Sequence, residues 1–266
     1  MNSTAEKPVN PNAPTLQKVL KVKHWTDTLF SFSLERPQSF RFRSGEFIML
    51  GLEIEGKNVL RAYSMASPAW DDELEFFSIK VSDGRLTSQL QKIQPGDHVL
   101  LGKKPTGTLV HDALIPGRRL YLFSTGTGFA PFASIIRDLD TYDKFEQVIV
   151  THTCRNVDEL DYSKAIVEQT KNHEYLGEMS AGKLHYYESV TRDDYHRVGR
   201  ITDLIKNGKM FEELGVPAFD PAIDRAMVCG SVAFNNDMKT LIESYGLTEG
   251  SNASPAEYVV EKAFVG

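Results

Sequence analysis

Short apolar runs rich in leucine, β-branched and aromatic residues recur at 16–22, 29–34, 47–52, 74–81 and 99–101, with turn-forming residues between them. Runs of that length and spacing predict an antiparallel β-barrel or sandwich. One stretch breaks the rhythm. Leu86, Leu90 and Ile93 are spaced by four and then three residues, the period of a helix face, so one short helix is expected there. Pro95-Gly96-Asp97 turns the chain into the next run, and Ile115-Pro116-Gly117 closes the β-rich region.

Past residue 117 the pattern becomes apolar run, glycine-rich turn, helix-period stretch, apolar run. Strands are expected at 120–123, 147–151, 183–188, 225–229 and 258–261, and helices at 130–139, 160–170, 201–205 and 234–245. This alternation predicts a mainly parallel sheet covered by helices. The chain then divides into a polar tail (1–14), a β unit (15–116) and an α/β unit (117–266).

Composition narrows the partners. With 41% hydrophobic and 25% charged residues the chain can build a core, which excludes a wholly disordered protein. No apolar run approaches the roughly 20 residues of a membrane helix, and the N-terminal stretch has no signal-peptide segment. A cytoplasmic protein with no membrane partner is the expectation. The net charge of −6 is uneven: residues 1–116 carry 14 Lys+Arg against 13 Asp+Glu, the remainder 16 against 23. An acidic chain without a basic block is a poor ligand for phosphate backbones, so nucleic acid is excluded as a partner. Two cysteines, Cys154 and Cys229, are too few for an all-cysteine iron–sulfur cluster.

The turn Ser124-Thr125-Gly126-Thr127-Gly128-Phe129-Ala130-Pro131 follows an apolar strand and opens a helix. Glycines there let the backbone approach a pyrophosphate, and the helix start offers unpaired N–H groups; the alternative is a plain tight turn. It lacks the Gly-Lys-Ser/Thr of a Walker loop, which argues against ATP hydrolysis. Val228-Cys229-Gly230-Ser231 is a second turn of the same build. Two such turns on one sheet face one ligand in an open α/β fold, although a lone cysteine is more often a small buried hydrophobe. In the β unit, the extended Arg61-Ala62-Tyr63-Ser64 is read as turning a guanidinium, a phenol and a hydroxyl to one face, suited to a pyrophosphate, a flat ring and a ring nitrogen. The alternative is a half-buried strand with a surface arginine. Gly84-Arg85-Leu86-Thr87-Ser88 opens the short helix, where its amides suit a phosphate or Thr87 simply caps the turn.

In order along the chain, Arg61-Ala62-Tyr63-Ser64, Gly84 to Ser88, Gly126 to Pro131, Cys229-Gly230-Ser231 and Val259-Val260-Glu261-Lys262 resemble the ferredoxin/flavodoxin–NADP(H) reductases of the bacterial type. The resemblance spans nearly everything past residue 15, and Glu261-Lys262-Ala263-Phe264 is similar to the bacterial branch rather than the plastidic one, which ends in an aromatic residue. It implies an antiparallel FAD-binding β-barrel followed by a doubly wound α/β domain for NADP(H). By the same resemblance Tyr63 stacks on the isoalloxazine and Ser64 lies near flavin N5. Arg61 and the backbone of Leu86, Thr87 and Ser88 hold the FAD pyrophosphate, with Ala62 beside them. Ala263 stands where relatives place an aromatic ring over the flavin, and Phe264 follows it. Thr125, Gly126, Thr127, Gly128 and Gly230 form the NADP floor. Cys229 and Glu261 approach the nicotinamide, so Ser64, Cys229 and Glu261 make up the catalytic set. Thr191-Arg192 resembles the pair that grips the 2′-phosphate, with Arg155 and Arg200 in support; each arginine is alternatively a solvated surface charge. The implied partner is ferredoxin or flavodoxin, docking a monomer through Lys103, Lys104, Arg41 and Arg43.

Three alternatives remain at this stage: a free-flavin reductase, an electron-transfer subunit of an oxygenase, and a non-enzymatic nucleotide-binding module. His152, His173, His185 and His196 show no metal-ligand spacing. Asp71-Asp72-Glu73 and Asp193-Asp194 read as solvated loop charges.

Overall fold

The computed structural model describes residues 13–263. Most of the expected polar tail and Phe264 therefore lie outside the described residues. Six strands make the first sheet: β1 (Thr15–His24), β2 (Leu29–Glu35), β3 (Phe47–Ile54), β4 (Lys57–Ser64), β5 (Glu73–Ile79) and β6 (His98–Leu101). They run antiparallel in the order β4-β3-β6-β1-β2-β5. The two edges meet where Met65, just past β4, bridges Phe76 of β5 and the Ala66 N–H donates to the Glu75 carbonyl at 2.7 Å. Joining the edges this way makes a barrel and removes the exposed backbone that a flat sheet presents. Strand β2 fills its interior: Phe30, Phe32 and Leu34 alternate inward, and Phe32 stacks on Phe76 at 5.4 Å. The expected helix is a single turn, α1 (Thr87–Leu90).

The second sheet comprises β7 (Arg119–Thr125), β8 (Gln147–Cys154), β9 (Leu184–Val190), β10 (Asp224–Gly230) and β11 (Tyr258–Lys262), ordered β11-β10-β7-β8-β9. Every neighbouring pair is parallel. The helices are α2 (Ala130–Ile135), α3 (Leu139–Lys144), α4 (Asp161–Asn172), α5 (Glu174–Ser180), α6 (Ile201–Lys206), α7 (Lys209–Leu214) and α8 (Val232–Glu243). Alternate residues of β7 serve opposite layers. Leu120 and Leu122 pack with Phe132, Tyr162 and Ile166, whereas Tyr121 and Phe123 pack with Ile201, Leu204, Met238 and Ile242. Burial on both faces explains why these strands read as continuous apolar runs. The sheet is doubly wound: from β7 the chain moves outward through β8 and β9, then returns to β10 on the other side. That reversal opens a crevice at the carboxyl ends of β7 and β10.

Some boundaries differ from expectation. The helix expected over 130–139 stops at Ile135, and a separate, unexpected helix, α3, starts at Leu139, where the Asp138 carboxylate accepts from the Asp140 N–H at 3.1 Å. Helices α5 and α7 were not expected.

Arg137, buried between barrel and parallel sheet, ties the two together. Its Nη2 donates to Glu75 Oε2 at 2.7 Å and to the Ala66 carbonyl, and its Nε to the Ala133 carbonyl at 2.9 Å. Tyr162 adds its hydroxyl to Glu75 Oε1 at 3.1 Å and its ring to Phe77, stacked at 4.0 Å.

Candidate active site at the barrel mouth and the sheet crevice

Beyond the Met65–Phe76 bridge β4 and β5 separate, and a cavity of about 210 Å³, open to solvent on one side, occupies the gap. Arg61, Ala62, Tyr63 and Ser64 line it from β4, Leu86 and Thr87 from the start of α1, and Thr127 and Ala263 from the α/β unit. The expectation that Arg61, Tyr63 and Ser64 share one face is corrected: strand alternation puts Arg61 and Tyr63 on one side and Ser64 on the other. All four residues still line the cavity because β4 is an edge strand opening onto the gap. Ser88 is not among the lining residues.

The cavity chemistry fits a flavin dinucleotide. Tyr63 is braced edge-on against Phe76 (6.4 Å, 89°), and its hydroxyl accepts from Ser78 Oγ at 3.3 Å, which fixes a flat ring in the wall. Among the described residues Arg61 bonds only to the Leu60 carbonyl, at 2.9 Å, leaving an exposed cation at the cavity. The amides at the start of α1 precede any carbonyl that the helix can offer them. Thr87 does not cap this turn; its hydroxyl donates to the Val81 carbonyl at 3.2 Å.

The crevice is formed by two turns in contact. Gly126 takes φ +52°, and a Cβ on Gly128 would collide with the Cys229 carbonyl. Both positions thus require glycine, one for its backbone angle and one for close approach. Across the sheet Cys229 lies between Ser124 of β7 and Glu261 of β11. Burial pushes its thiol well above the ordinary range, with Glu261 adding to the effect, so it stays protonated and does not serve as a nucleophile. Glu261 accepts from the Thr108 N–H and, at 3.0 Å, from Thr108 Oγ1. Burial raises its carboxyl pKa, against the lowering effect of the Thr108 bonds. Asn235 Nδ2 holds the Glu261 carbonyl at 2.7 Å, and the Ala263 N–H donates to the Gly230 carbonyl at 3.0 Å, so residues 261–263 hang from the second turn.

Of the expected NADP residues, Thr125, Gly126, Thr127 and Gly128 meet Cys229 and Gly230 at this crevice. Arg155, Thr191 and Arg192 gather a little further along the same sheet edge, where the Thr191 N–H donates to the Cys154 carbonyl at 3.1 Å and the Arg192 N–H to the Arg155 carbonyl at 2.9 Å. Arg200 joins them through the Val190–Val198 bridge. All three arginines are exposed. Asp193, expected to be merely solvated, accepts from the Val157 N–H at 2.7 Å and so ties together the loops that follow β8 and β9.

Sequence reasoning missed three residues at the site: Thr108, Asn235 and His152. Thr108 meets Glu261 across 153 positions, a pairing that no local pattern signals. His152 lies fully buried under the first turn, with Nε2 2.9 Å from the Gly126 carbonyl. Burial pulls its pKa to about 4, against a smaller opposing effect of that bond. An unfolded histidine titrates near 6.5, so between about pH 6.5 and 4 the unfolded chain binds the extra proton, and about 3 kcal/mol of stability is lost as the pH falls through that window. Urea unfolding of His152→Gln at pH 7 and pH 4.5 should lack most of that difference; identical pH slopes for the two proteins would contradict it.

Comparison with known proteins agrees with this architecture. Residues 15–111 match the oxidoreductase FAD-binding domain family and residues 122–240 the oxidoreductase NAD-binding domain family. The chain is thus built as a flavin-linked oxidoreductase of two joined nucleotide-binding units. The flavodoxin/ferredoxin–NADP reductase of Rhodobacter capsulatus is 56% identical over 269 residues, covering 100% of this chain and 99% of its own. The ferredoxin–NADP reductase of Pseudomonas aeruginosa is 49% identical, over 94% of this chain and 97% of its own. A ferredoxin NADP+ reductase from Neisseria gonorrhoeae, solved with bound FAD and NADP, superposes with a TM-score of 0.85 at 29% identity, over 94% of this chain and 98% of that one. The chain belongs to the ferredoxin/flavodoxin–NADP reductase family.

Proposed function

We propose that the protein exchanges a hydride between NADP(H) and FAD and exchanges electrons singly with ferredoxin or flavodoxin. Residues 15–116 hold FAD and residues 117–266 hold NADP(H). One observation carries the reading: Thr127 of the first crevice turn and Ala263 just past β11 line the same cavity as Tyr63, so the two nucleotide surfaces share a wall. Bound FAD supplies the hydride acceptor and the step from paired to single electrons. The chain's own residues bind, orient and manage charge. Tyr63 offers a braced ring face, while Arg61 and the Leu86 and Thr87 amides offer positive charge to a pyrophosphate. Glu261, gripped by Thr108 and raised in pKa by burial, is the group suited to hold and pass a proton; Ser64 adds a hydroxyl from the barrel side. Cys229 shapes the floor by packing. Anaerobic titration of the purified yellow protein with NADPH tests the whole: flavin absorption should bleach at about one equivalent, and bands that NADPH leaves unchanged would overturn the proposal.

Preference for the phosphorylated dinucleotide is assigned to Arg192, supported by Arg155, Arg200 and Thr191. A charge-assisted bond from an exposed arginine is worth about 1.5 kcal/mol. Arg192→Ala should therefore raise KM for NADPH about tenfold and leave KM for NADH unchanged, in steady-state assays with a small artificial acceptor. Equal effects on both would remove Arg192 from the 2′-phosphate.

The carrier docks on the near-neutral barrel. Docking is placed on Lys103, Lys104, Arg41 and Arg43, of which Arg43 is paired with Glu46 at 2.9 Å and Asp112 at 3.3 Å. Raising ionic strength should slow reduction of an acidic carrier without slowing reduction of a neutral acceptor. A salt-independent carrier rate would count against electrostatic docking. The protein acts as a cytoplasmic monomer in this proposal; among the described residues no helix is long and apolar enough to cross a membrane.

A further inference from the structure

The first crevice turn rests on a buried polar chain that begins three elements away. His152 Nδ1 lies 2.7 Å from Ser163 Oγ of α4, and Ser163 Oγ lies 2.6 Å from the Tyr186 hydroxyl of β9. On its other side His152 Nε2 reaches the Gly126 carbonyl at 2.9 Å. A carbonyl only accepts, so Nε2 carries the proton and Nδ1 is the acceptor on the neutral ring. Ser163 then donates to Nδ1, in preference to the Leu160 carbonyl 2.9 Å away, and Tyr186 donates to Ser163. The chain of bonds has one direction, from Tyr186 to Gly126.

We propose that His152 is a positioning residue for the dinucleotide pyrophosphate, holding the Gly126 peptide so that the Thr127 N–H faces the crevice. The proposal rests on the reading of this crevice as the NADP(H) site. In a trans peptide the C=O and the following N–H point in opposite directions. Pulling the Gly126 carbonyl inward onto His152 therefore turns the Thr127 N–H outward. That N–H belongs to the opening of the Gly126–Phe129 turn, ahead of any carbonyl the turn itself supplies. Gly126 is where such a hold is needed: its φ of +52° is reached through glycine's freedom, and that same freedom lets an unheld peptide rotate. Packing alone does not explain a histidine here. The ring is fully buried, 5.0 Å from Phe129 and with Cys154 Sγ 3.3 Å from Nε2, and in a site closed to water an aromatic hydrocarbon avoids the desolvation cost.

The test measures calorimetric binding of NADP+ and of 2′-AMP to the FAD-loaded protein; 2′-AMP carries the 2′-phosphate and lacks the pyrophosphate. His152→Phe removes the donor and should weaken NADP+ about tenfold, leaving 2′-AMP within about twofold. His152→Gln, which presents an amide donor at a similar reach, should recover most of the loss. Ser163→Ala, a milder change that deprives Nδ1 of its proton donor, should weaken NADP+ by a few-fold with 2′-AMP again unchanged, and it serves should His152→Phe fail to fold. Unchanged NADP+ affinity in these variants, or equal weakening of both ligands, would overturn the proposal. Failure of the unsubstituted protein to bind NADP+ would instead overturn the reading of the crevice itself.

Discussion

Gly128→Ala should lower kcat/KM for NADPH by about 100-fold or more while leaving one FAD per chain. The added methyl has no room, because it points into the Cys229 carbonyl on the adjoining strand. The turns after β7 and β10 must then move apart, and both are backbone, so neither yields as a flexible side chain would. A displacement near 1 Å at a site that positions reacting groups costs on the order of 10²-fold in rate. The flavin cavity takes most of its lining from the barrel, through β4, β5 and the residues leading into α1, and only Thr127, Ala130, Lys262 and Ala263 from the α/β unit. Gly126→Ala is the control. Nothing lies within 4 Å of its Cβ position, so that variant bears only the left-handed backbone strain, roughly 1–2 kcal/mol. The comparison is made by steady-state kinetics with ferricyanide and by flavin absorbance per chain. Equal losses in the two variants would show that backbone angle, rather than contact between the turns, limits the site.

The two turns were legible in the sequence because each joins a strand buried on both faces to a helix start, and such strands show as unbroken apolar runs. At the second turn Ser231 caps the helix start, its Oγ accepting from the Phe234 N–H at 3.2 Å. Strand β4 was legible only at its end, around Arg61. Its start follows a two-residue loop, Glu55-Gly56, with both residues at positive φ. Such a hairpin favours Asn-Gly or Asp-Gly, and a glutamate in the first position hides it. Helices α5 and α7 were missed because only one side of each meets the core, through Leu176 and Ser180 or Met210 and Phe211. The active site was read as a set of motifs, but what joins them is long-range. The Thr108 grip on Glu261 and the Asn235 hold on the Glu261 carbonyl are made by residues whose own neighbourhoods carry no signal.

The same holds for Arg137, which no motif marks and which joins the two nucleotide-binding units. Arg137→Met should destabilise the holoprotein by about 3 kcal/mol, the low end of the cost of breaking a buried pair on one side only, because the Glu75 side chain stays 22% exposed. For a chain of this size that is a fall in Tm of about 10 °C. The loss comes from what remains behind: Glu75 keeps its charge with only the Tyr162 hydroxyl to answer it, and the Ala66 carbonyl loses its donor. Adding Glu75→Gln should therefore restore a good part of the stability, because removing both charges removes the uncompensated one. A functional effect should accompany the structural one. Phe77, two residues from Glu75 on β5, stacks on Tyr162 and also lines the flavin cavity, so the clamp and the cavity wall are a single strand. Loosening the clamp lets the sheet crevice shift against the barrel mouth, and anaerobic stopped-flow should show slower flavin reduction at saturating NADPH, with the double variant intermediate. A single variant within about 1 kcal/mol of the unsubstituted protein, reducing its flavin at the same rate, would mean that the apolar seam of Phe77 and Tyr162 sets the alignment without help from the buried charges.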